Sequence, residues 1–116
     1  MLHPGHNQSE LYQKAVQLAK EVYRMTEVFP DGERAVMVYT LRRLAVLLCQ
    51  ELAIGLIKKA KKQRQAFETC LEHCVALDAQ LELAKAVNFV TNENMRDATN
   101  LLNSIYENLV RLVQQA

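Results

Sequence analysis

Apolar residues recur every three or four positions through most of this chain, and three of these runs form single stripes. Because residues at that spacing lie on one face of an α-helix, each stripe predicts a helix that buries one face in a shared core. The stripes are Leu11, Ala15, Leu18, Val22 and Met25; then Phe67, Cys70, Leu71, Cys74, Leu77, Leu81 and Ala84; then Met95, Ala98, Leu102, Ile105, Leu109 and Leu112.

A further helix, predicted from about residue 33 to about residue 59, is apolar around nearly its whole circumference. Its apolar residues are Val36, Met37, Val38, Tyr39, Leu41, Leu44, Val46, Leu47, Leu48, Leu52, Ile54, Leu56 and Ile57. A bundle buries only one face of each helix, so the surplus predicts an interface with another subunit. We assign that interface to Leu44, Leu48, Leu52 and Leu56. Gly55, inside the same helix, either allows a close backbone approach or marks a bend.

Short interruptions separate the four predicted helices, at residues 29–32, 58–65 and 88–91. Pro30 disfavours helix at the residue before it, which marks the first break. Connections this short imply that consecutive helices are antiparallel neighbours. The sequence therefore predicts an all-α protein, an antiparallel up-down-up-down four-helix bundle over residues 9–116, after a flexible N-terminus of residues 1–8.

The composition agrees with a helical domain. Only 3 Gly and 2 Pro occur, none of them within residues 56–116, and Trp is absent. Hydrophobic residues make up 50% of the chain but aromatic residues only 6%, which is typical of a core packed by Leu, Ala and Val. A chain of 116 residues is long enough for one domain with its own core.

Neither the start of the chain nor its longest apolar run is typical of a membrane segment. The first residues lack the apolar region of a signal peptide. The longest apolar run, residues 44–57, is interrupted by Gln50 and Glu51 and is too short to span a bilayer. Three cysteines, an odd number without an export signal, favour reduced thiols. We expect a cytoplasmic protein without membrane association.

Half of the positive charge is concentrated in one part of the chain. Glu51 is the only acidic residue between Arg43 and Glu68, so a net charge of +1 hides a polarised molecule. Polarised basic surfaces attract polyanions. The candidate nucleic-acid-binding residues are the seven cations of this region, out of 14 Lys and Arg: Arg42, Arg43, Lys58, Lys59, Lys61, Lys62 and Arg64.

Residues 58–64 hold five of these cations in seven positions. They form either a phosphate-binding patch, repeated around an oligomer, or a solvated helix end whose Lys58 and Lys59 face a favourable dipole. No aromatic residue lies between them, so we expect contacts to phosphates rather than stacking on bases.

Arg42 and Arg43 lie within the predicted second helix, flanked by apolar residues, and must find partners or reach water. They either line a basic channel and contact phosphate, or pair with Glu33, Glu51 or Asp78. We expect pairing for one of the two and leave the other open.

Cys70, His73 and Cys74 are the one constellation with metal-ligand spacing, because positions i, i+3 and i+4 share a helix face. A fourth ligand is not evident, and both cysteines fall in an apolar stripe, as small buried residues do. The chain shows no Ser/His/Asp order, no paired catalytic carboxylates and no Gly-rich phosphate loop. We expect no metal, no cofactor, no catalytic residue and therefore no enzyme.

An ordered set of short motifs resembles a known family. The chain is similar to the four-helix-bundle proteins encoded by intervening sequences within bacterial large-subunit ribosomal RNA genes, whose fold is shared by the accessory variability determinants of diversity-generating retroelements. The resemblance covers roughly residues 9–113 and rests on Phe29-Pro30, Glu33-Arg34, Leu41-Arg42-Arg43-Leu44-Ala45 and Ala79-Gln80-Leu81-Glu82-Leu83-Ala84.

This resemblance implies a ring-like homopentamer with a basic surface expected to bind nucleic acid and no catalytic activity. In the retroelement branch it also implies binding of a reverse transcriptase and its RNA. The branch stays open: Glu51-Leu52-Ala53-Ile54-Gly55 keeps only Ala53 and Gly55 of the ribosomal pattern, and the Trp-containing ending of the retroelement branch is missing.

Two functional hypotheses follow. The first is a non-catalytic oligomer that binds RNA or DNA backbone through a repeated basic surface, with a reverse-transcriptase accessory role as a special case. The alternative is a structural protein–protein scaffold without a nucleic-acid role. Residues 58–64 discriminate between them: exposed cations favour nucleic acid, and burial in ion pairs favours the scaffold.

Overall fold

The computed structural model describes Leu2 and residues 5–115, and the long elements in it are four α-helices. Short 3-10 turns at His6–Gln8 and Asp31–Glu33 and a π-helical turn at Arg34–Val38 complete the described chain, which contains no strand. The predicted all-α four-helix fold is confirmed. The helices are α1 at Glu10–Thr26, α2 at Tyr39–Ile57, α3 at Ala60–Ala86 and α4 at Asn92–Gln115.

The four helices surround one core in chain order, since α1 packs against α2 and α4, and α3 packs against the same two helices. The predicted stripes of α1, α3 and α4 face this core; its fully buried side chains include Leu18, Leu77, Leu81, Ile105 and Leu109. The antiparallel direction of successive helices stays a prediction from their short connections. No helix of the described chain is both long enough and apolar enough to cross a bilayer.

The first residues were predicted to be flexible. Met1, His3 and Pro4 lie outside the described residues. His6–Gln8 form one helical turn, and the His6 ring meets the Tyr12 ring edge-on with 5.1 Å between centroids. The flexibility of residues 1–8 stays a prediction.

The residues assigned to the subunit interface lie on the inner side of α2. Leu48 and Leu52 are 0% exposed within their own bundle, and Leu44 and Leu56 pack against the same core. The assignment was wrong for Leu48 and Leu52, because a helix that is apolar all round presents two equivalent stripes to sequence reasoning. For the half-buried Leu44 and Leu56 it stays a prediction. Only the packing against α3 shows which stripe faces inward.

The connection between α2 and α3 is much shorter than the predicted break at residues 58–65. Only Lys58 and Lys59 leave the helices, both in extended conformation, and α3 begins at Ala60 with a positive φ of 52°. The chain thus turns between α2 and α3 without glycine or proline, which is why the sequence did not locate the turn. As a result Lys61, Lys62 and Arg64 belong to the first turns of α3.

Gly55 allows α2 and α3 to approach closely just before this turn. A Cβ at Gly55 would lie 2.9 Å from the Ala66 Cβ and 3.4 Å from the Phe67 ring. The Gly55 carbonyl also accepts hydrogen bonds from the Lys58 N–H and from Nε2 of Gln63, each at 3.1 Å. Of the two roles that the sequence left open, the structure shows close approach.

Gly55→Ala should lower the free energy of unfolding by about 1 kcal/mol. Helix propensity alone favours alanine by about 1 kcal/mol. We expect that gain to be outweighed by the roughly 1–3 kcal/mol that overpacking a closed contact costs. Urea unfolding followed by circular dichroism measures the difference. Gly32→Ala is the control, because no atom lies within 4 Å of its Cβ position. The double variant G55A/A66G should recover part of the loss. A Gly55→Ala protein more stable than wild type would contradict the close approach.

Candidate nucleic-acid interface

The five cations of residues 58–64, here called the basic turn, are exposed without exception. Nε of Arg64 lies 3.7 Å from Oε1 of Glu68, and both side chains are about half exposed. Among the described side chains this is the only ion pair that involves the basic turn. A pair so loose and solvated neutralises little charge, so the cations remain available to an anionic ligand.

The electrostatics of the basic turn oppose helix stability. The first turn of α3 contains Lys61 and Lys62 and no acidic residue, and Lys59 makes no side-chain capping bond there. Cations at a helix N-terminus meet the positive end of its dipole, which costs a few tenths of a kcal/mol each. The positive end of the α3 dipole and the lysine side chains instead combine into one positive region. Glu51 is the acidic residue that shares a shallow depression with Lys58 and Lys62.

Arg42 is part of the fold rather than of this region. Its Nε donates to Oγ1 of the buried Thr26 at 2.9 Å, and its Nη2 donates to the Tyr23 carbonyl at 3.3 Å and to Oε1 of Glu27 at 3.1 Å. The guanidinium lies 4.6 Å from the Tyr23 ring centroid, a cation–π contact. With only 20% of its side chain exposed, Arg42 joins α2 to the end of α1.

Pairing was correctly predicted for one of the two arginines, but with the wrong partner. Arg42 pairs with Glu27 and not with Glu33, Glu51 or Asp78. Glu27 follows the C-terminus of α1, and the sequence could not show that this end meets the start of α2. The assignment of Arg42 to the nucleic-acid surface is therefore corrected.

Arg43 is exposed and makes no ion pair within the described chain. Fifteen residues of helix separate it from Lys58, about 22 Å along the axis at 1.5 Å per residue. The seven predicted cations therefore do not form one surface. Five form the basic turn, Arg42 lies between α1 and α2, and Arg43 stands alone on the solvent side of α2.

Around Arg43 the solvent side of α2 is apolar, and sequence reasoning missed its residues. The outer α2 face consists of Tyr39, Arg43, Val46, Gln50, Ile54 and Ile57, all exposed. Their spacing of three or four residues keeps them on one side of the helix. A cleft of about 560 Å³ beside this face is lined by Tyr23, Arg34, Val38, Tyr39, Arg42, Arg43, Val46, Leu47 and Gln50. The spacing was readable from the sequence, but its solvent orientation was not.

The Cys70, His73 and Cys74 constellation is divided by burial. Cys70 and Cys74 lie in the core, and His73 is half-buried. Burial raises the pKa of each of these two thiols to about 12, so both stay protonated near neutral pH. Zinc binds thiolates. In the described part of the chain no group of three or more His, Cys, Asp or Glu side chains is placed to hold a metal ion. Absence of bound metal stays a prediction.

Arg42→Gln should lower the free energy of unfolding by about 1–3 kcal/mol, because Glu27 and the buried Thr26 hydroxyl lose their partner. Lys20→Gln is the control, at an exposed cation of α1 without an ion pair among the described side chains, and should change it by less than about 0.5 kcal/mol, as exposed substitutions do. Urea unfolding of both variants at equal concentration measures this. Equal stability of the two variants would show that the Arg42 contacts contribute nothing.

The buried thiols should make the fold sensitive to alkaline pH. Since the folded-state pKa of Cys70 and Cys74 is about 12 and the unfolded value is near 9, the folded state retains protons that the unfolded state loses. The contribution of the two thiols to the free energy of unfolding is then fully present below pH 9 and decreases as the pH rises from 9 towards 12. Urea unfolding at pH 8, 9 and 10 should show a steeper decrease for wild type than for Cys70→Val/Cys74→Val. Parallel curves would contradict the thiol contribution.

Comparison with known proteins agrees with the fold. The profile of the 23S rRNA-intervening sequence proteins matches residues 7–111 of the 116, which include α1, α2, α3 and most of α4. No curated protein matches the chain closely enough to count as a relative. The profile match thus confirms the intervening-sequence family that the sequence resembles, over nearly the whole chain. The chain therefore belongs to the 23S rRNA-intervening sequence protein family.

Proposed function

We propose that this protein is a non-catalytic, oligomeric nucleic-acid-binding protein that contacts the phosphate backbone of RNA or DNA through the basic turn. The observation that carries the proposal is the exposure of all five cations, with one loose ion pair at 3.7 Å among them. Solvated cations lose little on exchanging water for phosphate, and they release the counterions of the polyanion.

The shape of the basic turn supports binding to phosphates. Lys58 and Lys59 lie in extended backbone, and Lys61, Lys62 and Arg64 follow on α3, so the cations are distributed over a two-residue bend and the first turns of a helix. No aromatic residue is interleaved between them in the sequence. Such a surface favours binding with little sequence preference.

The helix dipole also favours this proposal over the scaffold. Lysines at the start of α3 reduce the stability of the helix. A scaffold would gain from acidic residues there, since they would complement the same dipole. Residues that oppose local stability are expected at functional sites.

Self-association is the second part of the proposal. The outer α2 face leaves Tyr39, Val46, Ile54 and Ile57 exposed on one side of a helix. Several large apolar residues exposed on one helix face are typical of an interaction site. Several copies of the basic turn on one assembly would bind a long polyanion more tightly than one copy does. We propose a ring of five subunits, as the family resemblance implies, in the reducing cytoplasm that three unpaired cysteines suit.

Replacing Lys58, Lys59, Lys61 and Lys62 by Gln should weaken binding to RNA and duplex DNA and flatten its dependence on salt, while helicity and assembly size stay unchanged. Each phosphate contact contributes roughly 0.7–0.9 to the slope of log affinity against log salt concentration. Fluorescence anisotropy titrations between 50 and 200 mM salt measure the slope. Because the family name refers to 23S rRNA, a structured fragment of that RNA is the first ligand to test.

A matched pair of variants separates position from net charge. Lys61→Gln/Lys62→Gln and Lys20→Gln/Lys85→Gln each remove two exposed cations, but only the first pair lies in the basic turn. The first should lower the magnitude of the salt slope by about 2 and the second should leave it near wild type. If both double variants changed the salt slope equally, nucleic-acid binding would depend on net charge and not on the basic turn. Wild type that binds no nucleic acid at 50 mM salt would leave the scaffold as the function.

A further inference from the structure

The solvent side of α3 is acidic and lies next to the exposed part of α4. Between Arg64 and Lys85 the chain contains no Lys or Arg. The acidic α3 face consists of Glu68, Glu72, Val75, Asp78 and Glu82, all exposed and spaced by three or four residues along one side of the helix. Among the described side chains only Glu68 of these four acids has an ion-pair partner.

A groove between α3 and α4 adjoins this acidic face. It has a volume of about 290 Å³ and is lined by Cys74, Val75, Asp78, Leu102, Asn103 and Tyr106. Val75 is 57% exposed and Tyr106 is also exposed, so the groove has an apolar rim. Asp78 is the one charged residue that lines it. The groove therefore fits an apolar helix face that carries a cation.

The outer α2 face has that chemistry. Val46, Ile54 and Ile57 are its apolar residues, Arg43 is its cation, and no acidic residue belongs to it. Arg34 adds a second cation beside the outer α2 face. Its ion-pair partner among the described side chains is the fully exposed Asp31, whose Oδ1 lies 3.8 Å from Nε of Arg34. Apolar surface meets apolar surface and opposite charges meet when this face enters the α3–α4 groove.

We propose that the outer α2 face of one subunit docks on the acidic α3 face and the adjoining α3–α4 groove of the next subunit, with Arg43 of one copy paired to Asp78 of the other. The proposal rests on the self-association included in the proposed function and assigns both of its surfaces. Charge decides against the alternative in which two outer α2 faces meet each other. That contact would bring together two copies of Arg43, which has no ion-pair partner among the described side chains, whereas the acidic face offers four carboxylates.

The two faces belong to different helices of one subunit, and this determines the kind of assembly. A contact between unlike surfaces is heterologous, so an open assembly has one free face of each type, at its two ends, until the ring closes. The cations of the basic turn belong to neither face, although Lys58 follows Ile57 and Arg64 lies 3.7 Å from Glu68. One copy of the basic turn per subunit is expected to stay accessible to nucleic acid.

Two face-specific variants test the pairing. Val46→Asp places an acid on the outer α2 face, opposite the acidic face, and Val75→Lys places a base on the acidic face, opposite Arg43. Each should raise the subunit dissociation constant by roughly 30-fold or more, the effect of losing a central contact. Sedimentation velocity should then show monomers for each variant alone at concentrations where wild type is assembled. Both positions are exposed, and circular dichroism checks that the variants fold. Val28→Asp, at a valine that is 71% exposed outside both faces, is the control and should assemble like wild type.

Mixing the two variants gives the sharper result. The Val46→Asp protein keeps an intact acidic face and the Val75→Lys protein keeps an intact outer α2 face, so a 1:1 mixture should form at least a heterodimer. A charge exchange gives a second test. Arg43→Asp and Asp78→Arg should each weaken assembly by roughly 10-fold, and the double variant should return to within a few-fold of wild type.

Three outcomes would overturn the proposal. If Val75→Lys assembles like wild type while Val46→Asp does not, the outer α2 face binds another surface. If the mixed variants stay monomeric, the two faces do not meet. If wild type itself is monomeric at micromolar concentration, the self-association fails together with its surfaces, and the salt titrations of the basic-turn variants still decide nucleic-acid binding separately.

Discussion

The close approach of α2 and α3 at Gly55 is the contact on which the other features depend. Without a side chain at this position, the α2 backbone meets Ala66 and Phe67 directly. That contact turns Leu48 and Leu52 inward, and it leaves Tyr39, Val46 and Ile54 on the solvent side. It also brings the helix ends near enough for Lys58 and Lys59 alone to connect them. Core, outer face and basic turn are thus consequences of one tight helix pairing.

Hydrophobic spacing predicted the helices well where each had a single apolar stripe. Each of α1, α3 and α4 has a single apolar stripe, so only one orientation of the helix buries it. Residues such as Leu18, Leu77 and Ile105 are buried as expected. In α2 two stripes compete, and the choice depends on how closely the neighbouring helix can approach. The sequence contained the decisive residue, Gly55, but its effect depends on Ala66, eleven positions later and on another helix.

The candidate site was predictable in part for a similar reason. The density of charge along the sequence located the basic turn, because its five cations are close neighbours in the sequence. It could not separate Arg42 from Arg43, since adjacent helix positions point about 100° apart and only the packing shows which one meets Thr26 and Glu27. Nor could it show that opposite charges lie on the solvent sides of α2 and α3. Functional surfaces that combine several elements depend on tertiary contacts.

Ala60 has a further consequence for the basic turn. Its backbone is left-handed, with a φ of 52°, although an L-residue pays roughly 1–2 kcal/mol for that conformation and glycine would adopt it freely. Because alanine is strained at a positive φ, the contacts between α2 and α3, and not the local preference of the chain, hold this bend. The spacing of the lysines on either side of Ala60 therefore depends on how the two helices pack.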